Sequence, residues 1–362
     1  MWPTGAPRIP GPAACGTGIA KTVPTPLSPC SEDRTRMSLS RFARRLGIAG
    51  FAALIAATSL TMAPRAHAAD EALRVAAVLP GSIRDQAWNQ SAYDGLMKAK
   101  ETMGIDVAYA EGVAEPDQMS AMRDFARRGY GIVIGHGGEF QDPADRLAKQ
   151  FKDTLFVVSS GATAGGNVAT INFDYRQLGY VLGYMAAKVS KTGTIGWLGA
   201  TEIKFSTELV EGYTKGAEAG KPGTKVLVTY MGDWNDVAKG KEAASAQISQ
   251  GADVLFPTMD LASNGALTAA KEAGVKAFGI YYDAIVDWPD TVIQSVIMDV
   301  NAALVHFLED AKAGKAGGKE YVYGLATSDA ARFGSFHEAV PAEVKAEVEA
   351  LIADLAAGRK QI

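Results

Sequence analysis

The segment that decides the fold runs from Arg74 to Gly95 and reads RVAAVLPGSIRDQAWNQSAYDG. Its first six residues, up to Leu79, are typical of a short buried strand. Beyond the loop, apolar residues recur at helical spacing: Ala92, Leu96, Ala99 and Met103. A polar loop therefore joins a strand to a helix. In open α/β sheets, ligands bind in the crevice outside the carboxyl ends of the strands, so this loop faces a candidate site.

Three side chains of this loop suit a flat polar ligand: the carboxylate of Asp85, the indole of Trp88 and the carboxamide of Asn89. The indole can stack on a ring, the carboxylate accepts hydrogen bonds, and the carboxamide both donates and accepts them. A purely structural role fits the same residues, because Asp85 can cap the helix, Trp88 can pack against the lobe and Asn89 can stabilise the turn. The sequence leaves both interpretations open.

Strand and helix patterns alternate along the chain, which predicts parallel sheets flanked by helices. The first half gives strands at 74–79, 106–110, 132–135 and 155–159, and the second half gives strands at 194–198, 226–230, 254–257 and 277–280. Crossings between the halves are predicted at 169–173, 292–300 and 320–327. We therefore expect an α/β protein with two doubly wound parallel-sheet lobes joined by three crossover segments, a hinged clamp. The N-terminal lobe comprises residues 69–172 and 298–318, and the C-terminal lobe comprises residues 173–297 and 319–362.

The N-terminal region predicts export. Residues 37–68 have the features of a secretory signal peptide: Arg41, Arg44 and Arg45, then an apolar stretch, then Ala66-His67-Ala68 as the cleavage site. Residues 1–36 are consistent with an untranslated upstream extension. Both cysteines, Cys15 and Cys30, precede Met37, so the exported chain has no thiol for a disulfide, a zinc site or a lipid anchor. We expect a soluble periplasmic protein.

Charge and length narrow the class of protein further. Removing residues 1–68 takes eight Lys/Arg and two Asp/Glu from totals of 36 and 40, which leaves 28 and 38 and a net charge of about −10. That surplus of acidic residues argues against a nucleic-acid surface. The remaining 294 residues exceed what one compact core usually organises, which favours two domains.

Sequence features of enzymes and metal sites are weak. Gly135-His136-Gly137-Gly138 is similar to an esterase oxyanion loop, but the chain has no Gly-x-Ser-x-Gly elbow to accompany it. The histidines after Ala68 are widely separated, so we expect no metal and no cofactor. A nucleosidase remains an alternative, with Asp85 and Asp283 as its acid and base. We expect a binding protein and no enzyme.

The exported chain resembles the basic membrane protein family, also called the purine nucleoside receptor family, of substrate-binding proteins of ABC transporters. The resemblance is carried by DQAWNQSAYDG at 85–95, GHGGEF at 135–140, NFDY at 172–175 continuing to Gly183, and GADV at 251–254 continuing to Glu272. It implies a type I periplasmic-binding-protein fold, a purine-type ligand, and an inner-membrane permease and ATPase as partners. In that family, an aromatic residue followed by Asn holds the base, and here these are Trp88 and Asn89.

Departures from the family pattern bear on the ligand. Where nucleoside-binding members have an Asp and a Lys for the ribose, this chain has Tyr281, with Asp283 two residues on, and Met298. Ser160 stands near the position of a further Asp that contacts the purine edge. We therefore expect a nucleobase, adenine or an oxidised purine such as xanthine, with a nucleoside, pterin or flavin as alternatives.

The remaining candidate contacts follow other strand ends. Trp234 and Asp260 are candidates on the second lobe, with packing and helix capping as their structural alternatives. Gly138 permits close approach of the backbone to a ligand, and Phe140 follows it. Tyr281 and Asp283 are chosen over Tyr282 because side chains alternate along a strand. We expect a monomer, and a sensor subunit that uses the same clamp is the alternative to a transporter subunit.

Overall fold

The computed structural model describes residues 72–85 and 88–362. The predicted signal peptide, the upstream extension and both cysteines lie outside the described residues. Within this part of the chain, twelve strands form: β1 Arg74–Val78, β2 Asp106–Ala110, β3 Ile132–His136, β4 Leu155–Ser159, β5 Val168–Phe173, β6 Thr194–Gly199, β7 Lys225–Tyr230, β8 Val254–Pro257, β9 Lys276–Ile280, β10 Val292–Met298, β11 Glu320–Tyr323 and β12 Ala331–Phe333. The strands predicted from the sequence are all present, with ends that differ by one residue at most.

Nine α-helices accompany these strands in the described residues: α1 Trp88–Met103, α2 Glu115–Arg127, α3 Gln141–Ala148, α4 Tyr175–Val189, α5 Lys204–Gly220, α6 Val237–Ser249, α7 Ala262–Ala273, α8 Val300–Lys312 and α9 Ala342–Ala356. None of the helices in this part of the chain is long and apolar enough to cross a membrane. The helices cover both faces of the sheets, which explains why the central strands are almost continuously apolar.

Two six-stranded sheets have the same strand order. The first is ordered β2-β1-β3-β4-β5-β11 and the second β7-β6-β8-β9-β10-β12. All pairings are parallel except that of β10 with β12, which is antiparallel. The fold is therefore two doubly wound α/β lobes, the architecture of type I periplasmic binding proteins, as predicted.

The helices that follow β5 and β10 cross to the opposite lobe. Helix α4 leaves β5 of the first sheet and packs on α5 of the second lobe, whereas α8 leaves β10 of the second sheet and packs on α1 of the first. Both crossing helices begin at an aspartate cap: Asp174 accepts a hydrogen bond from the Gln177 amide at 3.1 Å, and Asp299 accepts one from the Ala302 amide at 3.0 Å. Each of these helices therefore connects the sheet of one lobe to the helices of the other lobe.

The third crossing lies later than predicted. Strand β11 pairs in parallel with β5, in the register Glu320↔Thr170 to Tyr323↔Phe173, and so belongs to the first sheet. The predicted boundary at residues 318–319 is therefore wrong, and the chain crosses between Tyr323 and Ala331. The short alternating segment EYVY was interpreted as a connection because four residues carry little strand pattern on their own.

Candidate functional site

A cavity of about 530 Å³ lies between the two lobes at the carboxyl ends of both sheets. Its volume falls within the range of 300–1,000 Å³ that is usual for small-molecule sites. Eight of the ten candidate residues line it: Asp85, Trp88, Asn89, Gly138, Ser160, Trp234, Asp260 and Tyr281. The sequence therefore identified residues from both lobes that the fold brings together around one cavity.

The loop before α1 is held by its own hydrogen bonds. The Asp85 carboxylate accepts from the backbone amides of Asn89 at 2.9 Å and Gln90 at 3.0 Å, and from the Asn89 side-chain amide at 2.7 Å. The Asn89 side-chain oxygen accepts from the Gly81 amide at 3.1 Å. These contacts match the structural interpretation of Asp85 and Asn89, a helix cap and a turn brace. The carboxylate and carboxamide thus line the cavity in positions fixed before any ligand arrives.

Trp88 stacks on a buried histidine. The Trp88 and His136 rings lie 4.2 Å apart at 20°. His136 Nε2 is 3.1 Å from the Trp88 carbonyl oxygen, which can only accept, so Nε2 carries the proton and Nδ1 accepts from the Ser159 hydroxyl at 3.0 Å. Burial lowers the pKa of His136 to about 4, so the ring is neutral at pH 7. His136 therefore packs against the indole as a neutral ring.

Matching corners of the two lobes carry strained residues. Ser160, directly after β4, has φ 56°, and Tyr281, directly after β9, has φ 72°, the two non-glycine residues with positive φ in the described chain. The Ser160 amide donates to the Ile171 carbonyl at 2.8 Å, and the Tyr281 amide donates to the Val296 carbonyl at 2.9 Å. Left-handed backbone at non-glycine residues is strained and is found disproportionately at ligand sites. Both corners face the cavity.

The second lobe supplies aromatic walls. Tyr281 lies 5.9 Å from Trp88 across the cleft, with the rings inclined at 44°. Trp234 lies 6.4 Å from Phe205, which in turn meets Tyr175 edge to face at 5.3 Å. Trp234 thus lines the cavity and also packs against the second-lobe core. The helix cap expected near it is present, because the Asp236 carboxylate accepts from the Ala238 and Lys239 amides.

Asp260 is the most perturbed carboxyl group of the cavity. Burial and then the neighbouring carboxylates of Asp85 and Glu139 raise its pKa to about 7. Its side chain does not cap α7, because the N-cap residue of that helix is Leu261, whose side chain makes no capping hydrogen bond. Burial also raises the pKa of Glu139, and burial followed by the charge of Asp260 raises that of Tyr281 well above its usual value.

Phe140 and Asp283 are not at the cavity, and their prediction as site residues is corrected. Phe140 is fully buried and packs against Gly135 in the first-lobe core. Asp283 accepts from the Ser335 amide at 2.9 Å and faces the C-terminal segment. The alternation that selected Asp283 ends at Ile280, because the left-handed turn at Tyr281 reorients the chain. Asp85 and Asp283 consequently do not form the acid–base pair that a nucleosidase needs.

Several cavity residues were not identified from the sequence: Glu139, Phe173, Tyr175, Ile203 and Phe205. Tyr175 lies in the NFDY segment and its hydroxyl is 3.0 Å from the Ser160 hydroxyl, a contact that no sequence pattern indicates. Phe205 lies in the first turn of α5 after β6, as Trp88 lies in the first turn of α1 after β1. A comparison of the two halves of the sequence could therefore have identified it.

Two further features border the cavity. Lys204 of α5 forms an ion pair with Glu320 of β11, which joins the two lobes beside the site. A smaller cavity of about 190 Å³ in the second lobe shares Asp85, Asp260, Leu261 and Tyr281 with the main one. Among residues 72–85 and 88–362, no group of three or more His, Cys, Asp or Glu side chains is arranged to hold a metal ion.

The chain is similar to several known proteins. A family model described as ABC transporter substrate-binding protein, PnrA-like (Bmp), matches residues 72–341. A purine-binding protein of Brucella abortus is 30% identical over 235 residues, which cover 64% of this chain and 66% of that protein. The transcriptional activator protein med of Bacillus subtilis is 28% identical over 280 residues, covering 77% and 87%. A solved ABC transporter solute-binding protein from Conexibacter woesei matches with a TM-score of 0.62 at 28% identity, covering 80% and 98%.

Proposed function

The chain belongs to the PnrA-like (Bmp) family of ABC transporter substrate-binding proteins, and we propose that it closes its two lobes on a purine-type nucleobase, adenine or an oxidised purine. Stacking and edge hydrogen bonds hold the base, and no covalent chemistry takes place. The similarity to a purine-binding protein of Brucella abortus supports a purine as the ligand.

The observation that carries the proposal is the aromatic cavity built from both lobes. Trp88 is fixed on one face by His136, and Tyr281 and Trp234 stand on the opposite lobe. A base that stacks on the Trp88 indole gains about 1 to 3 kcal/mol whatever its identity, so the edge groups must select among bases. A ligand that touches both lobes stabilises the closed clamp by the contacts it makes only there.

A free base fits the lining better than a nucleoside does. Met298, at the position where the family resemblance places a ribose-binding lysine, is buried and presents a thioether to the cavity. Tyr281 replaces the aspartate that would accept from ribose hydroxyls. The Arg84 guanidinium is the one cationic side chain among the described residues of the lining. A sugar would leave its hydroxyls facing groups that bind them poorly.

Export and transport complete the proposal. The predicted signal peptide would deliver the protein to the periplasm as a monomer, where it presents the base to an inner-membrane permease driven by an ATPase. The relative named as a transcriptional activator supports a second candidate, a regulatory subunit that uses the same clamp as a sensor. Deleting the gene separates the two: loss of base uptake indicates transport, and normal uptake with loss of a base-dependent response indicates sensing.

The decisive experiment is a thermal-shift panel of purine bases, nucleosides, pterins and flavins on the purified protein. A ligand at 100 times its dissociation constant adds about 2.7 kcal/mol to the stability of the folded state, which gives a clear shift. We expect purine bases to raise Tm, and Trp88→Ala to remove most of the shift while Trp288→Ala, half-buried and outside the cavity lining, keeps it. A shift with adenosine and none with adenine would contradict the preference for a free base.

A further inference from the structure

The charge of the cavity is unbalanced. Among the described lining residues, three carboxylates stand against one guanidinium: Asp85, Glu139 and Asp260 against Arg84. Arg84 is exposed and forms no ion pair with the described residues. The nearest imidazole, that of His136, lies behind Trp88 and is neutral at pH 7. An anionic ligand entering this cavity would therefore meet more negative than positive charge.

The three carboxylates differ in the hydrogen bonds that they make within the protein. Asp85 already accepts three hydrogen bonds from the start of α1. Glu139 lies on the first lobe against the backbone of Gly137. Asp260, in contrast, makes no side-chain hydrogen bond or ion pair with any described residue, although it is partly buried at the junction of the two cavities. Asp260 lines both cavities, so a hydrogen-bond donor on a bound ligand can reach its carboxylate.

We propose that Asp260 selects the ligand through the ligand's hydrogen-bond donors. The site then takes an amino-substituted purine such as adenine, neutral or positively charged, and rejects oxidised purines that present a carbonyl or a negative charge at the same edge. This inference rests on the proposed function and decides between the two kinds of base that it leaves open. An ionised carboxylate can only accept hydrogen bonds, so a carbonyl placed against it has no favourable contact.

The surroundings of Asp260 give this selection a pH dependence. The titratable and charged groups that share a cavity lining with it are Arg84, Asp85, Glu139, Tyr175, Tyr281, Tyr282 and Asp287. Burial and the carboxylates of Asp85 and Glu139 raise the pKa of Asp260 to about 7, so the carboxyl group gains a proton as the pH falls below neutrality. The protonated group can donate as well as accept, and discrimination between amino and carbonyl edges weakens.

The test measures binding of adenine, hypoxanthine and urate by titration calorimetry from pH 5.5 to 8.0. Adenine carries an amino group where hypoxanthine carries a carbonyl, and neither base changes charge appreciably over this range, whereas urate is an anion at pH 8. The proteins are the unmodified chain, Asp260→Asn and Asp290→Asn. Asp290 is exposed on the second lobe and outside both cavity linings, so its substitution makes the same change of charge elsewhere.

We expect adenine to bind at least about tenfold more tightly than hypoxanthine at pH 8, the scale of a hydrogen bond to a charged group, and urate more weakly still. That ratio should fall towards pH 5.5. In Asp260→Asn it should be small and independent of pH, because a carboxamide both donates and accepts, and Asp290→Asn should behave as the unmodified protein. Equal binding of all three bases, or an unchanged ratio in Asp260→Asn, overturns the inference and leaves the proposed function standing. Failure of every purine to bind the folded protein overturns both.

Discussion

The two lobes are built alike and face the cavity differently. Each has the same strand order, the same crossing helix with an aspartate cap, and the same left-handed corner, at Ser160 in one and Tyr281 in the other. On the first lobe, the polar groups at the cavity bond to one another, as Asp85 and Asn89 do. On the second, Asp260 has no such partner in the described chain. The first lobe therefore presents polar groups that already hydrogen-bond to each other, and the second lobe presents a carboxylate that has no hydrogen-bond partner in the described chain.

The difference indicates a division of labour between the lobes. A wall whose hydrogen bonds are already satisfied can fix the position of Trp88 without ligand, and stacking is tolerant of the base. A carboxylate without a partner in the protein forms its hydrogen bond only with a ligand that carries a donor at the right place, so the second lobe discriminates between bases. The first lobe then supplies affinity and the second supplies selectivity, which the following substitutions examine from the largest expected effect to the smallest.

The largest effect is expected at the helix pair that crosses into the second lobe. A Cβ added at Gly183 of α4 would lie 1.9 Å from the Tyr213 carbonyl oxygen of α5, whereas one added at Gly95 of α1 would lie 3.0 Å from Asn301 of α8. Gly183→Ala should lower the free energy of unfolding by about 3 kcal/mol, and Gly95→Ala by about 1 kcal/mol or less. Urea denaturation of both variants measures this. Equal losses would mean that the two crossing helices are packed with the same tolerance.

Binding comes next, through the two tryptophans. Trp88→Ala should weaken purine binding by about 10- to 100-fold, because it removes a stacking face worth about 1 to 3 kcal/mol. Trp234→Ala should cost less, since this side chain has no stacked partner that fixes its plane and also packs against the core. Trp88→Phe, which keeps an aromatic face, is the matched control. Calorimetry on the three variants would contradict the division of labour if Trp234→Ala were the more damaging.

The sequence predicted the frame well because buried parallel strands and amphipathic helices leave strong local patterns. Every strand proposed from 74 to 280 is present. Two later strands, β11 and β12, were not predicted. The four residues of β11 gain their place only by pairing with β5, a partner some 150 residues away. Local pattern cannot report a pairing at that distance.

The site was predictable where residues follow directly from a strand end and unpredictable where the backbone turns. Trp88 and Tyr281 were found because strand ends converge in this fold, and Ser160 was found through the family resemblance. The prediction of Asp283 as a site residue was wrong because Tyr281 takes a left-handed backbone conformation, which a tyrosine disfavours. The sequence also left the role of Asp85 open, since capping and ligand contact require the same residue type at the same place.

The free energy of unfolding should depend on pH through His136, which lies in the first lobe. Its pKa is about 6.5 unfolded and about 4 folded, so the unfolded chain binds the extra proton and stability falls as the pH drops between these values. The loss attributable to this group should reach about 2 kcal/mol by pH 5. His136→Gln should lack it. His306→Gln should retain it, because His306 is only half-buried and its pKa is raised by Asp329. A pH profile unchanged in His136→Gln would remove His136 as the cause.

Asp260, in the second lobe, should give a pH dependence of stability with the opposite sign. Its pKa rises from 3.8 to about 7 on folding, so the folded chain holds the extra proton and stability falls as the pH rises from about 4 to about 7. In the absence of ligand, Asp260→Asn should therefore be more stable than the unmodified protein at pH 8, by on the order of 1 kcal/mol, and indistinguishable from it at pH 3. Saturating adenine should remove this advantage at pH 8, because the base supplies the donor that the carboxylate lacks. If Asp260→Asn is no more stable than the unmodified protein at pH 8, the Asp260 carboxylate does not destabilise the ligand-free protein. The two lobes would then differ in sequence without differing in role.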